Sequence, residues 1–232
     1  MKAILKILIV CATKAEIAPL LEQANLRLSL SSRHELYTGI FSDHHLNVLI
    51  TGAGMMQTAF CLADCLSRES YDVAINVGIA GSFDDTLPIG KTVQIATETI
   101  ADLGAESPNG FIAMAQMPFF DPNKYPYTKG LLTNPNLQLF KGLINLPQVN
   151  GITVNATSGT AQSINERHRL FSAQVETMES AAFFYACLWH SLPFCAIRTI
   201  SNRIEPRDTS NWNIGLAIDK LNEQLVDCLS NG

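Results

Sequence analysis

Short apolar runs alternate along the chain with segments whose apolar residues recur at helical spacing. The runs predict strands, and the spaced segments predict helices. The predicted strands are 4–12, 35–41, 44–51, 72–77, 91–102, 151–157, 175–178 and 194–201. The predicted helices are 14–24, 55–68, 164–171, 179–190 and 211–229. This alternation indicates a single α/β domain over residues 1–232, with a central mixed, largely parallel twisted sheet flanked by helices.

Two glycine-containing segments, 51–54 and 78–81, directly follow apolar runs. They predict tight turns where a ligand can approach backbone amides, because glycine lacks a side chain. The first begins like a dinucleotide-binding fingerprint, but Gln57 stands where the third glycine belongs, so a dinucleotide site is not favoured. The region 103–130 is rich in Pro, Gly and Asn and is predicted to be a loop or lid.

Composition and charge narrow the function. The chain has 232 residues, 47% of them hydrophobic, and a net charge of −5 without a run of Lys or Arg, so nucleic acid and anionic membranes are not expected partners. Lys6 interrupts the apolar N-terminus, which we interpret as a buried strand rather than a signal peptide, and we expect a cytoplasmic protein. The cysteines and histidines show no metal-ligand spacing, so neither a metal nor another cofactor is expected.

Two polar clusters follow apolar runs in the second half of the chain. The segment 177–180 opens a predicted helix, and Asn202 stands where the last buried strand is expected to stop, before a charged loop that contains Pro206. Ligand sites of α/β proteins form where the carboxyl ends of strands converge. Together with the glycine segments, the clusters predict a pocket that binds a nucleobase and a sugar.

The order of these motifs resembles that of the nucleoside phosphorylase superfamily. The matching segments are 12–16, 51–54, 76–81, 158–161, 178–182 and 200–202. Within the superfamily the chain is similar to the bacterial nucleosidases that hydrolyse methylthioadenosine and adenosylhomocysteine, and its segment 201–213 is similar to the futalosine hydrolases. The resemblance implies the superfamily's fold, a small-molecule nucleoside substrate, and a homodimer or larger homo-oligomer.

The resemblance also implies roles for two glutamates. Glu16 matches the family's water-activating carboxylate, and Glu179 matches the carboxylate that accepts hydrogen bonds from the ribose hydroxyls and favours a cationic sugar. Met178 is expected to pack beside the sugar. The alternative for both glutamates is structural, because the helix dipole favours an acidic residue in the first turn of a helix.

Asn202 departs from the adenine-cleaving nucleosidases, which carry Asp at this position. Its NH2 group can donate to an acceptor at purine position 6 while its oxygen accepts from a protonated N7, so Asn202 favours hypoxanthine or guanine over adenine. Ser201 and the segment Ile79-Ala80-Gly81 are expected to line the substrate site. Gln162, followed by Ser163, stands where those nucleosidases usually have an aromatic residue, which predicts a different contact with the base or the tail of the substrate.

Arg203 and Arg207 are candidates for the carboxylate of the benzoate arm of futalosine, because a guanidinium group matches carboxylate geometry. Ion pairs with Glu205 and Asp208 are the alternative.

A phosphorylase would need arginines near the glycine segments to neutralise phosphate. None occurs at 1–25 or 52–66, so water is the expected nucleophile.

Three functions remain open: hydrolysis of futalosine with release of hypoxanthine, hydrolysis of methylthioadenosine or adenosylhomocysteine, and binding of a nucleoside without turnover.

Overall fold

Twelve strands and five α-helices occur within residues 4–231, which are the residues that the computed structural model describes. The strands are β1 (Lys6–Cys11), β2 (Arg27–Leu28), β3 (Glu35–Phe41), β4 (His44–Ile50), β5 (Val73–Ser82), β6 (Thr92–Ile100), β7 (Gly104–Ser107), β8 (Gly110–Ala113), β9 (Leu132–Thr133), β10 (Gln148–Thr153), β11 (Val175–Thr177) and β12 (Phe194–Arg203). The helices are α1 (Lys14–Gln23), α2 (Met55–Arg68), α3 (Ala161–Phe171), α4 (Ser180–Trp189) and α5 (Ile214–Asn231). The predicted α/β class is confirmed.

The strands form one mixed ten-stranded sheet and a separate hairpin of β7 and β8. The order in the large sheet is β11-β10-β6-β12-β5-β1-β4-β3-β2, with β9 beside β6. The central strand β5 is parallel to both β1 and β12, whereas β12 is antiparallel to β6. The end of β5 also pairs with β11, so this part of the sheet closes on itself and brings the ends of β5, β11 and β12 together.

Helices cover both faces of the sheet, which explains why β1 is apolar at successive positions rather than at alternate ones. Leu8 and Val10 belong to a core that includes residues of α2 and α4. Ile7 and Ile9 belong to a second core that includes residues of α1 and α5. Residues 7–11 of the strand are therefore buried on both faces, as their composition predicts.

The prediction of a tight turn is confirmed for one of the two glycine segments and wrong for the other. Gly52 and Gly54 have φ angles of 84° and 99°, and they form the tight connection to α2 that was predicted. The segment 78–81, by contrast, continues β5 in extended conformation and pairs with β12. Its glycines serve close packing, because a Cβ on Gly78 would lie 2.9 Å from the Glu16 carboxylate.

The region 103–130 is less irregular than the prediction, because β7 and β8 form a hairpin at its start. Whether the region closes over a substrate stays a prediction. None of the helices within residues 4–231 combines the length and the apolar character that crossing a membrane requires.

Candidate active site

Glu16 lies in the first turn of α1, and its side chain is turned inward. Only 8% of the residue is exposed. Its Oε2 accepts hydrogen bonds from the backbone N–H of Thr13 at 2.9 Å and from the Thr13 hydroxyl at 3.0 Å, while Oε1 accepts from the backbone N–H of Ile79 at 3.2 Å. The carboxylate therefore closes the start of α1 and also reaches the carboxyl end of β5, which an exposed first-turn glutamate would not do.

Glu179 is the residue before α4, and its carboxylate crosses to the glycine turn that precedes α2. Oε1 accepts a hydrogen bond from the backbone N–H of Gly54 at 2.9 Å. Burial raises the pKa of Glu179, and the nearby charge of Glu16 raises it further, whereas the Gly54 N–H and Arg198 oppose the shift. The two glutamates are thus close enough to interact, and the preceding residue, Met178, is half-buried.

Arg198 is the functional candidate that the sequence reasoning missed. It lies in β12 and is 1% exposed. Its guanidinium donates to the backbone carbonyl of Ile197 at 2.9 Å, to the Ser180 hydroxyl at 2.8 Å, and to both the side chain and the backbone carbonyl of Asn76. Burial lowers the pKa of Arg198, and the carboxylates of Glu179 and Glu16 oppose that shift. A charged residue within an apolar strand was the available signal.

Asn202 lies at a bulge in β12, where the pairing with β5 shifts so that Asn202 stands opposite Gly81. Its Nδ2 donates to the backbone carbonyl of Arg203 at 2.8 Å, and its Oδ1 accepts from the Ser201 hydroxyl at 2.8 Å. Because a carbonyl can only accept, the Arg203 contact determines which end of the amide is NH2. These bonds leave the amide one N–H and one oxygen lone pair that are available to a further partner.

Gly81 and Ala80 support this part of the site through their backbones. A Cβ on Gly81 would approach Asn202 Nδ2 to 3.2 Å, so the absence of a side chain makes room for the amide. The Ser201 hydroxyl also lies 3.2 Å from the carbonyl of Ala80. The predicted segment 79–81 is therefore next to both Glu16 and Asn202, through Ile79 and Gly81 respectively.

The loop before α3 is held by a buried ion pair. Arg167 donates to Glu176 at 2.9 Å, and Glu176 also accepts from the backbone and side chain of Ser158. This pair anchors the start of the helix that carries Gln162 and Ser163. Gln162 is exposed and Ser163 caps the helix with Thr160, so no contact joins either residue to the two glutamates.

The two predicted anion-binding arginines have different surroundings. Arg203 forms an exposed ion pair with Asp85 rather than with Glu205 or Asp208. Arg207 donates to the Thr157 hydroxyl at 3.3 Å, and its guanidinium lies 5.6 Å from the centre of the Trp212 ring. Arg207 therefore borders the loop before α3, whereas Arg203 is already paired.

Glu98 is a third carboxyl group that interacts with Arg198, after Glu16 and Glu179. It is fully buried in β6, and its Oε2 accepts from the Thr153 hydroxyl at 2.9 Å, while Oε1 has no hydrogen-bond partner within residues 4–231. Burial raises the pKa of Glu98 to about 8. The group is therefore mostly protonated at pH 7, and it contributes less than Glu179 and Glu16 to balancing the charge of Arg198.

Sequence comparison identifies the class of protein to which this fold and this site belong. A profile of the Phosphorylase superfamily matches residues 6–230, so the chain belongs to that superfamily. Futalosine hydrolase of Thermus thermophilus is 31% identical over 178 residues, covering 75% of this chain and 76% of that protein. The futalosine hydrolase of Streptomyces coelicolor is 29% identical over 189 residues, covering 76% and 75%. The resemblance predicted from the motifs is confirmed.

Solved structures agree on the fold. A methylthioadenosine/adenosylhomocysteine nucleosidase of Colwellia psychrerythraea, in complex with adenine, has a TM-score of 0.83 at 18% identity and covers 99% of this chain and 96% of its own. Futalosine hydrolase of Helicobacter pylori has a TM-score of 0.78 at 16% identity, covering 95% of each chain.

The raised pKa of Glu98 predicts a pH-dependent stability. Between its ordinary value of 4.5 and about 8, the folded chain keeps a proton that the unfolded chain releases, so the free energy of unfolding falls as pH rises through this window. In Glu98→Gln we expect this decline to shrink by roughly a few kcal/mol. Denaturant unfolding at pH 5, 7 and 9 measures the free energy of unfolding, and Glu106→Gln, at an exposed position, is the control. If the free energy of unfolding depends on pH equally in Glu98→Gln and in the unmodified protein, the raised pKa of Glu98 is contradicted.

Proposed function

We propose that this protein is an N-glycosyl hydrolase that cleaves futalosine into hypoxanthine and dehypoxanthinyl futalosine, a step of menaquinone biosynthesis by the futalosine route. The observation that carries the proposal is the buried Glu16 carboxylate, held by Thr13 and Ile79 near Glu179 and Arg198. The relatives of about 30% identity, which are named futalosine hydrolases, support the choice of substrate.

Glu16 is the proposed base. A carboxylate has about four lone-pair positions, and the bonds from Thr13 and Ile79 use three of them. The remaining position can accept a proton from water while the other bonds hold the carboxylate still. A fixed base lowers the entropic cost of reaching the transition state.

Glu179 and Asn202 serve the two sides of the bond that breaks. Cleavage of an N-ribosidic bond leaves positive charge on the sugar, and a partly desolvated carboxylate such as Glu179 stabilises that charge strongly. Asn202 has a free N–H for the oxygen at purine position 6 and a free lone pair for a protonated N7. Hypoxanthine therefore suits the site better than adenine.

Water is a better nucleophile here than phosphate. Arg198 interacts electrostatically with both glutamates, and hydrogen bonds to Asn76, Ile197 and Ser180 already engage the two terminal nitrogens of its guanidinium. A phosphate dianion placed beside Glu16 and Glu179 would meet two carboxylates in a poorly solvated site, which is unfavourable.

We also propose that a second copy of this chain covers the outer face of α2 and α4, giving a homodimer or larger homo-oligomer. A groove of about 480 Å3 between these helices is lined mainly by apolar side chains. Met56, Phe60 and Trp189 on this face are 80%, 67% and 59% exposed. An apolar patch of this kind marks an interaction surface.

A base-release assay tests the reaction. We expect hypoxanthine release from futalosine to exceed base release from inosine and from methylthioadenosine. Glu16→Gln should lower kcat by at least about 100-fold while futalosine still binds, because general-base catalysis supplies a factor of this size. Glu22→Gln, on the exposed side of the same helix, is the matched control. The proposal would be overturned if the unmodified protein preferred methylthioadenosine or bound futalosine without turnover. Full activity of Glu16→Gln would overturn it as well.

Asn202→Asp tests the reading of the base. The carboxylate cannot donate to a 6-oxo group, so the ratio of kcat/KM for futalosine to that for methylthioadenosine should fall by about tenfold to hundredfold, as a buried mispaired group costs ~1–3 kcal/mol. Ser201→Ala, which removes the other partner of the amide, should lower both values without changing their ratio. An unchanged ratio in Asn202→Asp would remove Asn202 from base selection.

Phe60→Glu tests the assembly. A charge at position 60, on the exposed side of α2 one turn after Met56 of the groove, should reduce the particle mass measured by light scattering after size exclusion, because burying an unpaired carboxylate is costly. Leu30→Glu places the same charge on another exposed apolar residue and should leave the mass unchanged. A mass of 25.4 kDa for the unmodified protein at all concentrations would show that no second copy binds.

A further inference from the structure

Asn222 is a polar side chain buried in the contact between the first and last helices. It lies in α5 and is only 4% exposed. Its neighbours along that face of the helix, Leu221 and Leu225, belong to the apolar core that also contains Ile17 and Leu20 of α1. A buried amide in such a place is costly unless its hydrogen bonds are made.

The amide of Asn222 makes those bonds with the backbone of α1. Its Nδ2 donates to the carbonyl of Glu16 at 2.9 Å and to the carbonyl of Ile218 at 2.8 Å, and its Oδ1 accepts from the N–H of Leu20 at 3.2 Å. Glu16 and Leu20 are four residues apart, so their carbonyl and N–H are the pair that an undisturbed helix joins directly. Asn222 bridges both groups of that pair.

Pro19 explains why this turn of α1 is open to a side chain. Proline has no N–H to donate to the carbonyl of Ala15, and its ring crowds that carbonyl, which disturbs the helix on its N-terminal side. Helices kink both at proline and where a side chain inserts into the backbone hydrogen bonds, and this turn of α1 has the proline and the contacts of Asn222 together. The disturbed turn contains Glu16.

We propose that the amide of Asn222 takes the place of the backbone bond between Glu16 and Leu20, and that Asn222 is thereby a positioning residue that fixes the turn from which the Glu16 carboxylate reaches Ile79. The inference rests on the proposed function for the role of Glu16 in turnover. The positioning itself depends only on the contacts of Asn222 and on the 3.2 Å bond from the Ile79 N–H to Glu16. Asn222 touches no reacting group.

Asn222→Leu is the first variant, because leucine fills a similar volume without hydrogen bonds. We expect kcat for hypoxanthine release to fall by roughly 10- to 100-fold, the loss expected from a misplaced reacting group, while KM changes little. Leu225→Ala loses core packing on the same helix but leaves the amide bridge intact. It should lower the midpoint of thermal unfolding and keep kcat.

Pro19→Ala provides the rescue. With alanine at position 19 the helix can close, so the Glu16 carbonyl and the Leu20 N–H can bond directly and the amide becomes dispensable. The double variant Pro19→Ala, Asn222→Leu should therefore recover most of the kcat lost in Asn222→Leu, and Pro19→Ala alone should resemble the unmodified protein. A double variant as slow as Asn222→Leu would contradict the bridging role.

Amide hydrogen exchange provides a readout without substrate. In Asn222→Leu the amides of Leu20 and Ile79 should exchange faster than in Leu225→Ala, under conditions where local opening dominates, because both lose a firmly held acceptor. If the unmodified protein releases no base but Ile79 shows this change, the proposed function fails and the positioning inference stands. If Ile79 exchange is unchanged in Asn222→Leu, or Leu225→Ala loses kcat equally, the positioning inference is wrong.

Discussion

The site depends on a buried positive charge. Arg198 is 1% exposed, and its guanidinium bonds to Asn76 in β5, to Ser180 at the start of α4 and to the carbonyl of Ile197 in its own strand. A buried cation is tolerated only when nearby groups satisfy its donors and its charge. Glu179 and Glu16 supply the negative charge that balances the guanidinium. The arginine therefore connects three elements, and its positive charge allows the two carboxylates to lie close to each other.

Backbone N–H groups complete the arrangement, and glycine gives access to them. Glu179 accepts from Gly54, whose φ of 99° lies in the region that favours glycine. Glu16 accepts from Ile79, and the neighbouring Gly78 has no side chain to push the carboxylate away. Both carboxylates thus accept hydrogen bonds from backbone N–H groups, which restrict their orientation.

Much of the fold is predictable from local pattern, and the exceptions have physical causes. The bounds of α2 are those predicted, because apolar spacing and Gly54 define both its face and its start. The segment 78–81 was predicted as a turn because glycine has two uses, positive φ and close approach, and the sequence does not distinguish them. Closure of the sheet by β11 on β5 was not predictable, since strand pairing between distant segments leaves no local periodicity.

The same contrast between local sequence pattern and contacts among distant segments applies to the candidate site. Glu16, Glu179 and Asn202 were found through motifs that stand at the ends of predicted elements. Arg198 and Glu98 were missed because each lies inside an apolar strand, where a charged residue gains its role from partners on other strands. Gln162 was expected in the site for its place in a motif; it is exposed in the first turn of α3, and its contact with a substrate stays a prediction.

The two residues that the proposed function assigns to base reading and to bond breaking, Asn202 and Glu16, are held by separate sets of hydrogen bonds. The orientation of Asn202 is determined by the Arg203 carbonyl and the Ser201 hydroxyl at the bulge of β12. Glu16 is held instead by Thr13 and Ile79. Because the two sets share no partner, a substitution at the bulge can change the side chain at the end of β12 while the Glu16 carboxylate keeps its hydrogen bonds.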